Sequence, residues 1–139
     1  MLRLSLLLFF LSLSQLSQGQ GIQVFISSSM PEASLKQWLE QSKKAKVPVL
    51  MRGFIENNFA KTVITLRALA LATGNGVEIN PEQFTKYGID KVPAVVIDDG
   101  DSYVTIYGDV GLEYVLEKVN QQYPELEFLV KSALQAMEL

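Results

Sequence analysis

The chain has 139 residues, 48% of them hydrophobic and 19% charged, which suits a single globular domain. Its net charge is −3 and its lysines and arginines are scattered, which disfavours a nucleic-acid-binding surface. Cysteine and histidine are both absent, which excludes thiol chemistry, disulfides, and zinc or copper sites built on these residues. No histidine is available to activate a serine, so we expect a non-enzymatic protein without a metal or cofactor.

The N-terminus has the form of a secretory signal peptide. Arg3 precedes an apolar run, Leu4 to Leu16, that is shorter than the ~20 apolar residues of a membrane span. Ser17 and Gly19 supply the small residues of a signal-peptidase site, so we expect cleavage before Gln20. Removing the leader takes away one of the 12 basic residues and none of the 15 acidic ones, which leaves a net charge of −4. An uncleaved N-terminal anchor is the alternative.

Strands and helices alternate through the first half of the mature chain. The pattern predicts a strand at Gly21–Ile26, a helix from Pro31 to near Ala45, a strand at Val47–Met51, and a helix from an Asn57 or Asn58 cap to Gly74. A serine just before Pro31 is expected to cap the first helix. Apolar residues cover so much of the second helix that we expect it to be well buried. This βαβ order requires parallel strands with a right-handed crossover.

The second half predicts a β-hairpin followed by helices. The expected elements are a short extended piece at Val77–Ile79, a brief helix capped by Asn80, strands at Ala94–Asp98 and Ser102–Tyr107 around an Asp99-Gly100 turn, and a helix from Gly108 that Pro124 ends. The fold class is therefore α/β: a mixed four-stranded sheet flanked by helices, with an extra C-terminal helix. The expected organisation is a leader at 1–19, a domain at 20–123 and an amphipathic helix at 124–139.

The segment from Lys86 to Ala94, Lys-Tyr-Gly-Ile-Asp-Lys-Val-Pro-Ala, resembles the approach to the cis-proline of thioredoxin. The resemblance implies a thioredoxin-like fold in which the Val92–Pro93 peptide bond is cis. The position that holds Cys-X-X-Cys in thioredoxin follows the first strand, and here it is Ser27-Ser28-Ser29-Met30-Pro31. We therefore expect a degenerate thioredoxin-like domain that cannot perform thioredoxin chemistry.

Five motifs in order resemble the F-type TrbC family, the pilin assembly proteins of conjugative type IV secretion systems. They are Val24-Phe25-Ile26-Ser27, Ser29-Met30-Pro31, Arg52-Gly53, Pro81-Glu82-Gln83-Phe84 and Ile89 through Val95, and the resemblance covers roughly residues 22 to 110. It implies a periplasmic accessory protein for pilus assembly, acting beside TraW-like and other mating-apparatus proteins, with pilin as a further candidate partner. Asn80 stands where Asp is usual in the family, and Asn caps a helix equally well.

Three segments of the domain are candidate partner-binding sites. Their residues are Ser27, Ser29, Met30, Pro31, Arg52, Gly53, Val92 and Pro93. The serine loop can bind a carboxylate or a backbone carbonyl, or it is only a helix cap. Arg52-Gly53 can bind a partner's carboxylate, and the alternatives are that the arginine forms an internal salt bridge or that the glycine is a loop residue with positive φ. The Val-Pro step can offer backbone hydrogen bonds to an extended peptide, or it is a structural turn.

The C-terminal helix, Glu125–Leu139, carries an apolar stripe beyond the end of the thioredoxin-like core at Tyr123. Its residues are Leu126, Leu129, Val130, Ala133, Leu134 and Met137. The stripe has to be buried, either on a partner protein or on this domain, and both alternatives stay open. The functions in competition are an accessory protein for pilus assembly, a periplasmic peptide-binding or chaperone-like module, and a thiol-independent isomerase.

Overall fold

The computed structural model describes residues 21–139, so the expected leader and its cleavage site lie outside the described residues. The strands are Gly21–Phe25 (β1), Val49–Met51 (β2), Glu78–Ile79 (β3), Ala94–Asp98 (β4) and Tyr103–Tyr107 (β5). The helices are Glu32–Ala45 (α1), Phe59–Thr73 (α2), Pro81–Lys86 (α3), Leu112–Gln122 (α4) and Glu127–Met137 (α5), with 3-10 turns at Ile55–Asn57 and Pro124–Leu126. The sequence predicts this order of elements, except that Glu78–Ile79 forms a strand of the sheet and not only an extended piece.

The strands form one mixed sheet in the order β3-β2-β1-β4-β5. β1, β2 and β3 run parallel, and β4 is antiparallel to both β1 and β5. The expected number of four strands was too low, because the extended piece Glu78–Ile79 joins the sheet as β3. The Asn80 amide donates to the Met51 carbonyl at 2.9 Å, which fastens this short strand to β2.

Side chains alternate between the two faces of the sheet and build two apolar clusters. On one face, Val24 and Val95 pack with Trp38 of α1 and with the apolar sides of α4 and α5. On the other face, Phe25 packs edge-to-face on Phe84 of α3, with the ring centroids 4.8 Å apart. Both clusters converge on β1, the central strand.

Asparagines cap two of the helices as the sequence predicts, but the start of α1 differs. The side-chain oxygens of Asn58 and Asn80 accept the amide three residues on, at 2.9 and 3.3 Å. Pro31 itself is the N-cap of α1, and no side chain caps this helix. The expected serine cap does not form because Ser27 and Ser29 bond to each other in a turn before the helix.

Helix α2 is largely exposed, so the expectation that it is well buried was wrong. Its buried residues are Thr62, Leu69 and Thr73. The exposed apolar residues are Phe59, Val63, Ile64 and Leu71, whose exposed fractions run from 48% to 79%. Apolar coverage on all sides predicts burial on all sides, but one narrow side of α2 packs on the domain, against α1 and the turn before α2.

Helix α5 packs on the core of its own domain. Leu126, Val130 and Ala133 are buried, and Leu129, Leu134 and Met137 are partly buried beside them. They contact α1, α4 and β1. These contacts enclose Leu126 and Val130, which corrects the expectation that these two bind a partner. Ala133 lines a surface pocket with Leu129, and Leu129, Ala133 and Met137 stay predicted partner-binding residues.

Candidate functional site

A cleft of about 580 Å³ lies where the β1–α1 loop, the β2–α2 loop and the segment before β4 meet. Its lining includes Ser27, Ser29, Arg52, Gly53 and Val92, which come from all three segments singled out in the sequence. The first two segments meet because β1 and β2 are parallel and therefore end at the same edge of the sheet. The structure thus assembles one site from candidates that lie far apart in the chain.

Three of the candidates do not line the cleft. Met30 is partly buried against the main core, and Pro31 is the exposed N-cap of α1. Pro93 is buried behind Val92, and the Val92–Pro93 bond is cis, as predicted. The accessible wall of the site is therefore the serine turn, Arg52-Gly53 and Val92.

The serines form a closed local network. The Ser27 carbonyl accepts the Met30 amide at 3.1 Å, and the Ser27 hydroxyl oxygen accepts the Ser29 amide at 3.2 Å. The hydroxyls of Ser27 and Ser29 share a further hydrogen bond of 2.9 Å. Because each hydroxyl faces another hydroxyl and not a base, this arrangement does not activate a nucleophile. It fixes the shape of the loop.

Arg52 joins two walls of the cleft. Its guanidinium donates to the Ile89 carbonyl at 2.5 Å and lies over the Phe84 ring, 5.2 Å from the centroid. The sequence offered two structural alternatives for Arg52-Gly53, a salt bridge of the arginine and a positive φ at the glycine. Both were wrong: within residues 21–139 Arg52 forms no salt bridge, and Gly53 does not have a positive φ. Since a guanidinium has five N–H donors, Arg52 retains donors for an anionic group in the cleft.

Val92 offers a backbone pairing edge in the cleft. The Pro93 carbonyl is occupied by the Gly108 amide at 3.2 Å, on the hairpin side. In contrast, neither the amide nor the carbonyl of Val92 forms a hydrogen bond with another part of the described chain. A main-chain donor and acceptor are thus both open beside Arg52 and the serine turn.

The rim of the cleft contains residues that the sequence did not single out. Phe54 is 47% exposed, and its ring packs edge-to-face on Phe59 at 5.4 Å. Glu56 and Asn57 follow with positive φ values of 51° and 53°, and Glu56 pairs with Lys61. Non-glycine residues with positive φ cluster at functional sites. The only signal for this turn in the sequence is the Asn57-Asn58 pair, since asparagine tolerates the left-handed region.

The family model of type-F conjugative transfer system pilin assembly proteins matches residues 24–119, which include the whole cleft wall. The chain belongs to this family. The resemblance to the F-type TrbC proteins is therefore confirmed, and the match ends before α5.

A curated member of the TrbC family shows the same relationship. The periplasmic protein TrbC of Escherichia coli (strain K12) is 35% identical to this chain over 101 residues, which are 72% of this chain and 48% of that protein. The chain thus spans about half the length of the relative. The relative's name agrees with the periplasmic location expected from the sequence. No solved structure matches the chain.

Residues 21–139 have neither a metal site nor a membrane-spanning helix. They contain no group of acidic side chains arranged to hold a metal ion. No helix in this part of the chain is long and apolar enough to cross a bilayer.

Proposed function

We propose that this protein is a non-enzymatic periplasmic accessory protein for pilus assembly in an F-type conjugative type IV secretion system. Its cleft binds an extended segment of another mating-apparatus protein, a TraW-like protein or pilin. Membership of the TrbC family supports the role in pilin assembly. The lack of cysteine and histidine supports a binding role over a catalytic one.

The backbone of Val92, which no group of residues 21–139 hydrogen-bonds, carries this proposal. An extended peptide laid along Val92 gains main-chain hydrogen bonds to an amide and a carbonyl that residues 21–139 leave open. The order of elements, and the position of Val92 opposite the serine turn, support a thioredoxin-like fold with a peptide site beside its proline. The extent of the thioredoxin-like core, residues 20–123, belongs to the same proposal, and α5 packs on this core as part of the same domain.

The side chains around Val92 indicate the chemistry of the peptide. Phe54 on the rim presents an exposed aromatic ring to an apolar side chain. The remaining donors of Arg52 suit a carboxylate one or two residues along. The cleft therefore fits an extended segment that combines an apolar residue with an acidic one.

A second candidate is a chaperone-like module that binds unfolded clients. It is favoured by the exposed apolar face of α2, which continues from Phe54 through Phe59. The two candidates differ in selectivity, because a chaperone binds many unfolded segments transiently and an assembly factor forms a stable complex with particular components. Co-purification with secretion-channel components under mild washing distinguishes them.

The experiment for the first candidate uses Phe54→Asp in a conjugative donor strain whose own copy of the gene is deleted. We expect transfer frequency and pilus number to fall about tenfold or more, which corresponds to ~1.4 kcal/mol of lost binding. Tyr114→Asp is the matched control, because Tyr114 is an exposed aromatic residue on α4 outside the cleft. Both variants should accumulate to the wild-type level in the periplasm. Normal piliation with Phe54→Asp would show that the cleft is not the site.

A further inference from the structure

β5 forms an open edge of the sheet, because it pairs with β4 on one side and with no strand of residues 21–139 on the other. At the turn, the Asp99 amide donates to the Ser102 carbonyl at 3.1 Å, so these two residues form a hydrogen-bonded pair. From there, hydrogen-bonded and non-hydrogen-bonded pairs alternate along β4 and β5. At the other end, the Gly108 amide donates to Pro93, as this alternation requires. The residues whose amides and carbonyls point to the open side are Tyr103, Thr105 and Tyr107.

This edge lacks the devices that protect most edge strands. The segment Ser102–Gly108 contains no proline and no charged residue, and β5 pairs with β4 without a bulge. Tyr103 and Tyr107 are 53% and 44% exposed. No loop or side chain within residues 21–139 bonds to the outward amides and carbonyls. Within residues 21–139, nothing on this side of β5 prevents pairing with another strand.

The sequence of β5 is nearly palindromic about Thr105. Tyr103 and Tyr107 are equidistant from it, and its two neighbours, Val104 and Ile106, are both β-branched. A second copy laid antiparallel, with a two-fold axis at Thr105, places Tyr103 opposite the other copy's Tyr107, Tyr107 opposite its Tyr103, and Thr105 opposite its Thr105. All three of these pairs use outward-pointing groups, so each exchanges two hydrogen bonds. The outward direction of these backbone groups and the symmetry of the side chains about Thr105 thus favour the same pairing register.

The chemistry of the edge suits a second copy of this chain. The protein is acidic overall, but β5 is uncharged, so self-pairing places no like charges opposite each other along the strand. Aromatic residues face aromatic residues and threonine faces threonine, and both are favourable cross-strand pairs. The partly buried Val104 and Ile106 of both copies extend the main apolar cluster across the junction.

The area that such a junction buries sets its strength. A fully buried tyrosine removes about 150–250 Å² from water, and Tyr103 and Tyr107 begin roughly half exposed. The four tyrosines of two copies therefore leave the junction well below the ~1,200 Å² typical of stable complexes. The expected assembly is a concentration-dependent dimer in exchange with the monomer.

We propose that β5 is a self-pairing surface, through which two copies join edge to edge in an antiparallel two-fold dimer centred on Thr105. The two five-stranded sheets then continue into one another. The proposal is independent of the peptide-binding role of the cleft, because it uses different residues.

The lack of cysteine in the chain allows a direct test with single thiols. The full chain with its leader is exported, and each variant is examined on a non-reducing gel. Thr105→Cys places the two thiols on the two-fold axis, where the Cα spacing of a hydrogen-bonded pair, about 5.5 Å, suits a disulfide. We expect a covalent dimer for Thr105→Cys and not for Tyr103→Cys, whose thiol faces Tyr107 of the second copy. Tyr114→Cys on α4 measures random collision.

Sedimentation velocity provides a second test without cross-linking. The amide of Thr105 points outward, so Thr105→Pro removes a donor from the junction and none from the β4–β5 ladder. We expect its dimer dissociation constant to rise at least about tenfold while its melting temperature stays within a few degrees of the wild type. If Thr105→Pro does not fold, the comparison of Thr105→Cys with Tyr103→Cys and Tyr114→Cys still tests whether β5 pairs with itself.

Three outcomes would overturn the proposal. One is a wild-type protein that stays monomeric up to about 1 mM. Another is Thr105→Cys that cross-links no more than Tyr114→Cys, or that cross-links to other proteins instead of itself. The third is Tyr103→Cys that cross-links as well as Thr105→Cys, because that result requires a different register.

Discussion

At the scale of single residues, a buried hydrogen bond connects Tyr87, at the end of α3, to Asp98, at the end of β4. The Tyr87 hydroxyl donates to one carboxylate oxygen of Asp98 at 2.6 Å, and the other oxygen accepts the Gly100 amide at 2.8 Å. Burial, together with the bond to Asp98, raises the pKa of the Tyr87 hydroxyl well above its usual value. Tyr87 therefore stays neutral in the folded protein at a pH where the unfolded chain releases this proton.

Replacing this hydroxyl tests the pair. We expect Tyr87→Phe to lower the free energy of unfolding by about 1–3 kcal/mol at pH 7, because a buried carboxylate oxygen loses its donor. The raised pKa of Tyr87 stabilises the fold below pH ~10, and this stabilisation is lost as the pH rises further, since only the unfolded chain ionises at first. Urea unfolding at pH 7 and pH 10.5 measures both effects.

The control for this prediction is Tyr114→Phe. Tyr114 is more than half exposed on α4, so the loss of its hydroxyl should change stability little at either pH. The alkaline loss of stability should be smaller in Tyr87→Phe than in the wild type. An equal loss in both proteins would assign the pH dependence to other groups.

At the scale of elements, α5 is an integral part of the domain. Leu126 and Val130 are almost completely buried, and each large apolar side chain contributes about 1.5–3 kcal/mol when buried. We expect deletion of residues 125–139 to lower the free energy of unfolding by several kcal/mol or to cause aggregation. Thermal unfolding of the truncated and complete proteins measures this loss.

The matched control within α5 is Phe128→Ser. Phe128 is 86% exposed, so this variant should melt close to the wild type. A truncated protein as stable as the complete chain would show that the packing of α5 contributes nothing. It would also return the helix to the role of a partner-docking element.

The sequence predicts the order of elements well, because periodicity and capping residues act over a few neighbouring positions. Asn58 and Asn80 cap their helices as local signals indicate, and the hairpin turns at the predicted place, with Gly100 and Asp101 as its central residues. The burial of α2 was not predictable in this way, since it depends on what the fold places beside the helix. Arg52 is a similar case: a position 37 residues away, Ile89, supplies its carbonyl partner, and no local pattern encodes that contact.

At the scale of the whole molecule, the exposed apolar residues are not evenly distributed. The Phe54–Phe59 contact joins the rim of the cleft to the exposed face of α2, which includes Ile64 and Leu71. Helix α2 contains two basic residues and no acidic one, although the chain as a whole is acidic. A patch of this kind is unusual on the surface of a monomeric protein.

Two lysines on this face test whether it contributes to stability. We expect the Ile64→Lys, Leu71→Lys double variant to unfold within about 0.5 kcal/mol of the wild type, because both side chains are already in water. Its solubility should rise and its binding of a hydrophobic dye should fall. Leu69→Lys, on the buried side of the same helix, is the contrasting control and should unfold the protein. A large loss of stability in the double variant would mean that α2 packs more closely than described.

The position of β1 at the centre of the sheet has a consequence for the order in which the chain can fold. Gly21 pairs with Asp98 and Phe25 with Ala94, so β1 can pair with its antiparallel neighbour only after the chain as far as β4 is available. Helix α5 then packs on β1 from a still later position. Contacts of such large sequence separation form slowly and late. A chain that leaves a narrow pore N-terminus first can therefore pair β1 with β2 early, but it cannot complete the sheet and the main apolar cluster around β1 until nearly all of it has passed.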